Sequence, residues 1–430
     1  MEKTKQIWRA REKQISDVKQ KEYPSIDRLS ALPDDVLVHI LSFLPTQLSV
    51  STSVLGKRWR CVWAHVPNLD LNSDDEIINK VMLLHKRQNI NNFCLSHFDD
   101  CSDFQFEAWI ATLIDRSVRK LDICLDCQVK LPRCLFNCKT LVDLSLAWCG
   151  DIPMTGTVFL PALKKLQLDR VTYESAESLQ RLISGCPVLE DLFVEREKTN
   201  EDTLVCCCIS STTLNKLKLI SGRRVIYGLK LDAPALRSLT LYEFVSQDFS
   251  AGDLTSLIEA NINLQAHDLI NDYALYSRSV IEFVGKMNNL KCLKLTTFRM
   301  EVPDSAFSAL TMKFYNLTEL KLNADCRFIQ KLLENADNLE VLNIRIVYGD
   351  LNWTEPKQVP ACLTSHLGTV RIHDLQCDEK ELSMVRYILR NAKVLKRMEI
   401  QPFIGGNDLE TLKRVSLFER GSEACQLAFH

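Results

Sequence analysis

From residue 90 onward the chain repeats one six-residue pattern, apolar-x-x-apolar-x-apolar, thirteen times. Clear copies are Leu141/Leu144/Leu146, Leu163/Leu166/Leu168, Leu236/Leu239/Leu241 and Leu317/Leu320/Leu322. A degenerate copy is Leu257/Ala260/Ile262; the first copy begins at Ile90 and the last at Leu395. Successive copies start about 25 residues apart, a period typical of stacked structural repeats. The last two apolar residues of each copy are two apart, so they point the same way from a strand. One coil cannot bury its own apolar face, but a stack of coils can. The pattern therefore predicts parallel strands, one per copy, joined by return segments. Ser175–Ser184 and Phe328–Asn335 have helical spacing, and Gly185 marks a helix stop. The return over 196–213 is irregular. Helices in a bundle would also space leucines regularly. Pro161 and Pro234 just ahead of repeat leucines, and strand-like runs such as LKKLQL, favour strands.

Residues 27–66 follow a different rule. Leu32-Pro33 opens a helix, since proline suits a first turn whose N–H would be unpaired anyway. Asp34 and Asp35 then favour the positive end of the helix dipole. Val36, Leu37, Ile40, Leu41 and Leu44 share one face at helical spacing, and Pro45 ends the run. Thr46 or Ser49 is placed to cap a second helix carrying Leu48, Val54 and Leu55. Trp59, Val62, Trp63 and Val66 mark a third. So small a unit buries too little surface to stand alone and must lean on a neighbouring domain or a partner.

Composition narrows the class. The 430 residues carry a formal net charge of −2, with 25% charged and 46% hydrophobic residues. No strong field points to nucleic acid, and no run of about 18 apolar residues predicts a membrane span. The charged N-terminus MEKTKQIWRAREKQ lacks the apolar stretch of a signal peptide. The seventeen cysteines are odd in number and fit reduced, buried side chains in an intracellular protein. Cys124 and Cys127, followed by Cys134 and Cys138, begin on zinc-like spacing. However, Cys124 falls in a strand register and no histidine lies nearby, so no metal is expected. No phosphate-binding glycine loop, nucleophile elbow or paired-histidine motif occurs. The chain is expected to be no enzyme and to need no cofactor.

The helical segment resembles the F-box family in its plant branch. The motif is carried by Asp27, Leu29, Ser30, Leu32, Pro33, Asp34, Ile40, Leu41, Ser42, Phe43, Leu44 and Pro45. Thr52, Ser53, Val54, Leu55, Lys57, Arg58, Trp59 and Trp63 complete it; Gly56 stands where the family usually has serine. The phrases Gly185–Leu192 and Asn338–Leu342 resemble the leucine-rich repeats that follow such F-boxes. Residues 353–430 resemble the FBD domain, through Trp353, Pro356, Val359, Pro360, Tyr387, Leu389 and Arg420-Gly421-Ser422 among others. The implied fold is α/β. A flexible segment (1–26) precedes a small all-helical F-box (27–72), a leucine-rich-repeat solenoid (73–352) and an FBD cap (353–430).

The resemblance implies a substrate-recognition subunit of a Skp–cullin–F-box ubiquitin ligase, acting in cytoplasm or nucleus. A Skp-type adaptor, and cullin through it, would be the partners, with neither nucleic acid nor membrane. Leu32, Pro33, Val36, Leu37, Ile40, Leu41, Leu44, Val54, Leu55 and Trp59 would divide between F-box core and adaptor surface, and sequence does not split them. A protein substrate would meet the concave strand face, where Phe193, Tyr242, Lys216, Lys218, Lys294 and Lys321 point outward. Its locally basic character suits an acidic or phosphorylated segment. Two other readings stay open: an interaction scaffold outside any ligase, and a small-ligand receptor built on the repeats.

Overall fold

The structure is a computed structural model. It describes residues 28–97, 102–125, 129–153, 156–175, 177–196, 206–221, 228–244, 249–265, 273–298, 313–323, 326–345, 353–375, 378–403 and 408–430. The segment 1–26, Asp27 and Cys127 lie outside the described residues. The chain divides into two compact units between Val66 and Pro67.

The first unit is helical. Helices span Asp34–Leu41, Thr46–Ser51 and Trp59–Val62, with 3-10 turns at Thr52–Leu55 and Trp63–His65. Pro33 and Pro45 occupy the positions ahead of the first two helices with extended backbone, as the fixed proline ring favours. Thr46 and Ser49 do not cap the second helix. Both are buried, and the Ser49 hydroxyl donates instead to the Leu41 carbonyl at 3.0 Å. Val54 and Leu55 therefore sit in the 3-10 turn that follows the helix.

The second unit is built on one parallel sheet. Among the described residues it has fifteen strands: β1 (Asn68–Leu71), β2 (Asn92–His97), β3 (Lys120–Leu125), β4 (Asp143–Ala147), β5 (Lys165–Asp169), β6 (Asp191–Arg196), β8 (Lys216–Ser221), β10 (Ser238–Phe244), β12 (Glu259–Gln265), β13 (Cys292–Phe298), β14 (Glu319–Asn323), β15 (Val341–Arg345), β16 (Thr369–Leu375), β17 (Arg397–Pro402) and β18 (Gln426–Phe429). They lie side by side in that order. Each of the thirteen repeat copies supplies one strand, from β2 to β17. β1 and β18 extend the sheet at its two ends.

The register makes the repeat physical. Leu144, Leu166, Leu192, Leu217 and Leu239 are partners across five neighbouring strands, and all are buried. Leu146, Leu168, Val194, Leu219 and Leu241 form the second buried row. The degenerate copy keeps the register: Ala260 and Ile262 pair with Leu293 and Leu295 and are equally buried. Each deep leucine removes about 1.5–3 kcal/mol of apolar surface from water. The FBD-like segment continues the ladder, with Val370 and Ile372 beside Leu342 and Ile344 and then Met398 and Ile400.

The return paths depart from the irregular reading at one place. β7 (Cys206–Ser210), β9 (Gly228–Asp232) and β11 (Phe249–Ala251) form a second parallel sheet, β11-β9-β7. Period-two burial explains it: Cys207, Ile209, Leu229 and Leu231 are buried at alternate positions. Several other returns are helical, as at Ser178–Ser184 and Cys326–Glu334. Gly185 ends the first of these, but with an ordinary right-handed backbone (φ −77°). Close packing is what demands glycine there, because a Cβ would lie 2.6 Å from the Val158 carbonyl oxygen. Gly421, in the FBD-like tail, is held the same way against the Arg390 carbonyl.

Removing residues 353–430 would strip β16–β18 from the ladder and bare the edge of β15. The expected outcome is aggregation and loss of a cooperative thermal transition, read by size-exclusion chromatography and calorimetry. A monomeric, sharply melting truncation would show that the sheet does not need its last three strands.

Candidate functional site: an apolar helical patch and a charge-graded sheet face

Two surfaces merit attention. On the helical unit, Arg58 and Trp59 tie the opening turn to the third helix. Arg58 donates through Nε to Asp34 Oδ1 at 2.8 Å, and through its two terminal nitrogens to the carbonyls of Ser30 and Leu32. Trp59 Nε1 donates to the Ser30 hydroxyl at 2.8 Å. The motif residues Ser30, Asp34, Arg58 and Trp59 thus hold one another.

Burial separates the apolar residues of this unit. Leu37, Leu41 and Trp59 are core, at 0–3% exposure, and cannot also present a docking face. Pro33, Val36, Ile40, Leu44, Val54 and Leu55 are exposed, and Leu32 is half-buried. Phe43 (75% exposed) and Leu48 join them, the first from the F-box motif and the second from the second helix, neither among the expected adaptor contacts. The motif's Phe43 was a usable signal, because an aromatic at a position off the buried helix face must lie outside. So many exposed large apolar side chains on so small a unit mark an interaction surface.

The second surface is the open face of the main sheet, where positions alternate with the buried leucines. One row can be followed through all fifteen strands. It begins Asp70, Cys94, Asp122, passes Ser145, Gln167 and Phe193, then runs Lys218, Thr240, Asn261, Lys294, Lys321, Asn343, Arg371 before Glu399 and Ala428. The row is acidic at its start and cationic over the stretch from Lys218 to Arg371. Burial and the flanking Asp122 and Asp70 carboxylates push the Cys94 thiol up to about 11. Its thiolate is therefore scarce at neutral pH, which argues against a reactive cysteine.

The sequence-predicted contact residues fall into two groups. Phe193, Lys216, Lys218 and Tyr242 lie on β6, β8 and β10. Leu192 and Leu241 are fully buried beside half-buried Phe193 and exposed Tyr242. Phe193 and Lys218 are register partners, and the ammonium of Lys218 sits 5.0 Å from the Phe193 ring centre. The lysine thus already engages one face of the Phe193 ring.

Lys294 and Lys321 belong to the other group, across the sheet on β13 and β14. There a recess of about 500 Å³ is lined by both lysines with Asn261, Thr296, Asn323, Asn343, Arg345, Arg371 and His373. That volume is in the range of small-ligand and side-chain pockets. Arg371 and His373 were not singled out from sequence. The signal was present: Val370 and Ile372 fill the buried register, so 371 and 373 must face outward.

No helix among the described residues is long and apolar enough to cross a membrane. No cluster of three or more His, Cys, Asp or Glu among them is placed to hold a metal ion.

Comparison with known proteins agrees with this anatomy. An F-box domain model matches residues 29–71, and an FBD model matches 355–400. Residues 106–260 match the model described as the LRR repeats of FBD-associated F-box protein At5g56370. The chain is 32% identical to FBD-associated F-box protein At5g56440 of Arabidopsis thaliana, over 94% of this chain and 100% of that protein. It is 30% identical to the Arabidopsis F-box/FBD/LRR-repeat protein At2g26030, over 93% and 98% of the two chains. It is also 30% identical to the Arabidopsis FBD-associated F-box protein At3g52670, over 94% and 97%. This chain belongs to the plant F-box/FBD/LRR-repeat family. Proteins of this kind are in general non-catalytic adaptors, and F-box domains generally bind Skp-type adaptors.

Strand alternation sets up a direct comparison. Leu192→Ala is expected to lower stability by about 2–5 kcal/mol, whereas Phe193→Ala should change it far less. Chemical denaturation of the two variants measures the difference, and equal losses would contradict the register.

Proposed function

We propose that this chain is the substrate-recognition subunit of a Skp–cullin–F-box ubiquitin ligase. The observation that carries this reading is the exposed apolar set Pro33, Val36, Ile40, Phe43, Leu44, Leu48, Val54 and Leu55 on the helical unit. A stable adaptor interface buries at least about 1,000 Å², and its centre is apolar. These residues supply that character, while Leu37, Leu41 and Trp59 keep the unit folded beneath them. Family membership supports the same reading, because F-box domains generally engage Skp-type adaptors.

In this reading the chain performs no chemistry. The adaptor joins it to cullin, other subunits deliver ubiquitin, and the open sheet face holds a protein substrate. The site of action is the cytoplasm or the nucleus. The FBD-like segment contributes strands β16–β18, and so part of the same face, with no separate activity assigned to it.

Val54 and Leu55 provide the test, being 88% and 61% exposed. The double variant Val54→Asp/Leu55→Asp should abolish co-purification of a Skp adaptor and leave the melting curve of the chain unchanged. Leu37→Ala should instead destabilise the helical unit by about 2–5 kcal/mol. Full retention of the adaptor by the aspartate variant would exclude this docking face. Failure of the unmodified chain to capture any Skp adaptor would favour a scaffold outside the ligase.

A further inference from the structure

The recess on β12–β16 has a composition that solvation alone does not account for. Lys294, Lys321, Arg345 and Arg371 line it, and no carboxylate among the described residues does. Lys294 and Lys321 are Cα partners on adjacent parallel strands and face the same side. Like charges set directly opposite each other destabilise a sheet unless an anion lies between them. Lys294 makes no ion pair among the described residues.

The other three cations are held from outside the recess. Glu319 pairs with Lys321 at 3.0 Å, Asp374 with Arg345 at 2.9 Å and Glu399 with Arg371 at 2.8 Å. Burial by itself would raise the Glu399 carboxyl, but the hydrogen bond and charge of Arg371 hold it below the usual carboxylate range. Glu399 therefore stays ionised and keeps the guanidinium in place. Each clamp uses only part of its cation's donor capacity, since guanidinium has five N–H groups and ammonium three.

The centre of the site is Asn343. It is the register partner of Lys321 on one side and Arg371 on the other. Neighbouring strands stand about 4.8 Å apart, so the three side chains form a short arc of donors. Asn343 is 93% buried, given its 7% exposure. Arg371 Nη1 donates to its Oδ1 at 3.3 Å, which orients the amide so that Nδ2 is the free end. That Nδ2 has no hydrogen-bond partner among the described residues. A buried donor left unpaired costs about 1–3 kcal/mol, a cost that an incoming acceptor removes. Asn323, also in the lining, leaves its Oδ1 unpaired, an acceptor for a backbone N–H of the bound chain.

We propose that this recess receives a phosphate monoester dianion carried on the protein substrate, with Asn343 Nδ2, Lys321 and Arg371 as its innermost donors and Lys294 as the balancing charge. The proposal rests on the reading of the sheet face as a substrate-binding surface. A tetrahedral dianion suits a buried neutral donor flanked by two cations better than a single carboxylate does, since it accepts from several directions at once. The recess is also large enough to take the side chain that carries the phosphate.

The test uses the full chain with its co-purified adaptor. Fluorescence anisotropy follows a labelled phosphoserine peptide pool with degenerate flanks, the same pool with serine, and inorganic phosphate as competitor. The phosphoserine pool should bind at least about ten-fold more tightly than the serine pool, with affinity falling as salt rises. Lys294→Gln/Lys321→Gln should reduce that binding about ten-fold or more without lowering the melting temperature, and Asn343→Asp should abolish it. Equal binding of the two pools, or binding unchanged in the double lysine variant, would overturn the proposal. So would inorganic phosphate competing as well as the phosphopeptides, which would mark a site for a free anion. Adaptor capture on the same samples reports the ligase reading independently: a chain that holds the adaptor but ignores phosphoserine fails here alone.

Discussion

The register of the parallel ladder is the constraint on which the larger unit depends. Every coil contributes two apolar strand residues that are useless to it alone and become core only when the next coil stacks on them. Leu144, Leu166, Leu192, Leu217 and Leu239 are one continuous object drawn from five distant parts of the chain. A single-residue slip at any strand would turn a leucine row out to solvent and a polar row inward. Fourteen consecutive strand pairings keep that from happening. The same strictness makes the open face readable, because its side chains are carried in aligned rows by the buried ones.

The helical unit is specified differently. It has little interior, and polar cross-links supplement its few core residues. Arg58 satisfies two carbonyls of the opening turn and a carboxylate, and Trp59 combines a buried ring with a hydrogen bond to Ser30. The Arg58–Asp34 pair is substantially exposed and contributes little as a charge pair. Its value is geometric: it fixes where the first helix begins relative to the third. Buried and exposed apolar residues can then occupy adjacent faces of the same helix, with Leu37 and Leu41 inside and Val36 and Ile40 outside.

The sheet face joins the repeat and FBD-like segments into one continuous surface. Arg371 and His373, from β16, line the same recess as Lys294 and Lys321 from β13 and β14. The charge changes along the row from the Asp70–Cys94–Asp122 end to the Lys294–Arg371 stretch. On the proposed reading, a chain bound to this face would meet an electrostatic direction along the sheet that favours one orientation over its reverse. The aromatic contact at Phe193 and Lys218 lies between the two extremes.

Much of this was legible in the amino-acid order. The two-residue spacing of thirteen apolar pairs determined thirteen strands, their parallel stacking and the outward direction of Phe193, Tyr242 and the lysines, because side-chain direction in a strand depends only on parity. The helical spacing and the F-box motif determined an apolar helical unit. Tertiary structure decided what parity and spacing leave open. It placed Leu37, Leu41 and Trp59 inside and Phe43 and Leu48 outside, since a helical stripe wider than its contact has residues on both sides of the boundary. It made strands of the returns at β7, β9 and β11, where local signals were short and the pairing partners lay a full repeat away. It assembled the recess from residues 261 to 373, because neighbours across a ladder are about 25 residues apart in sequence and only about 4.8 Å apart in space.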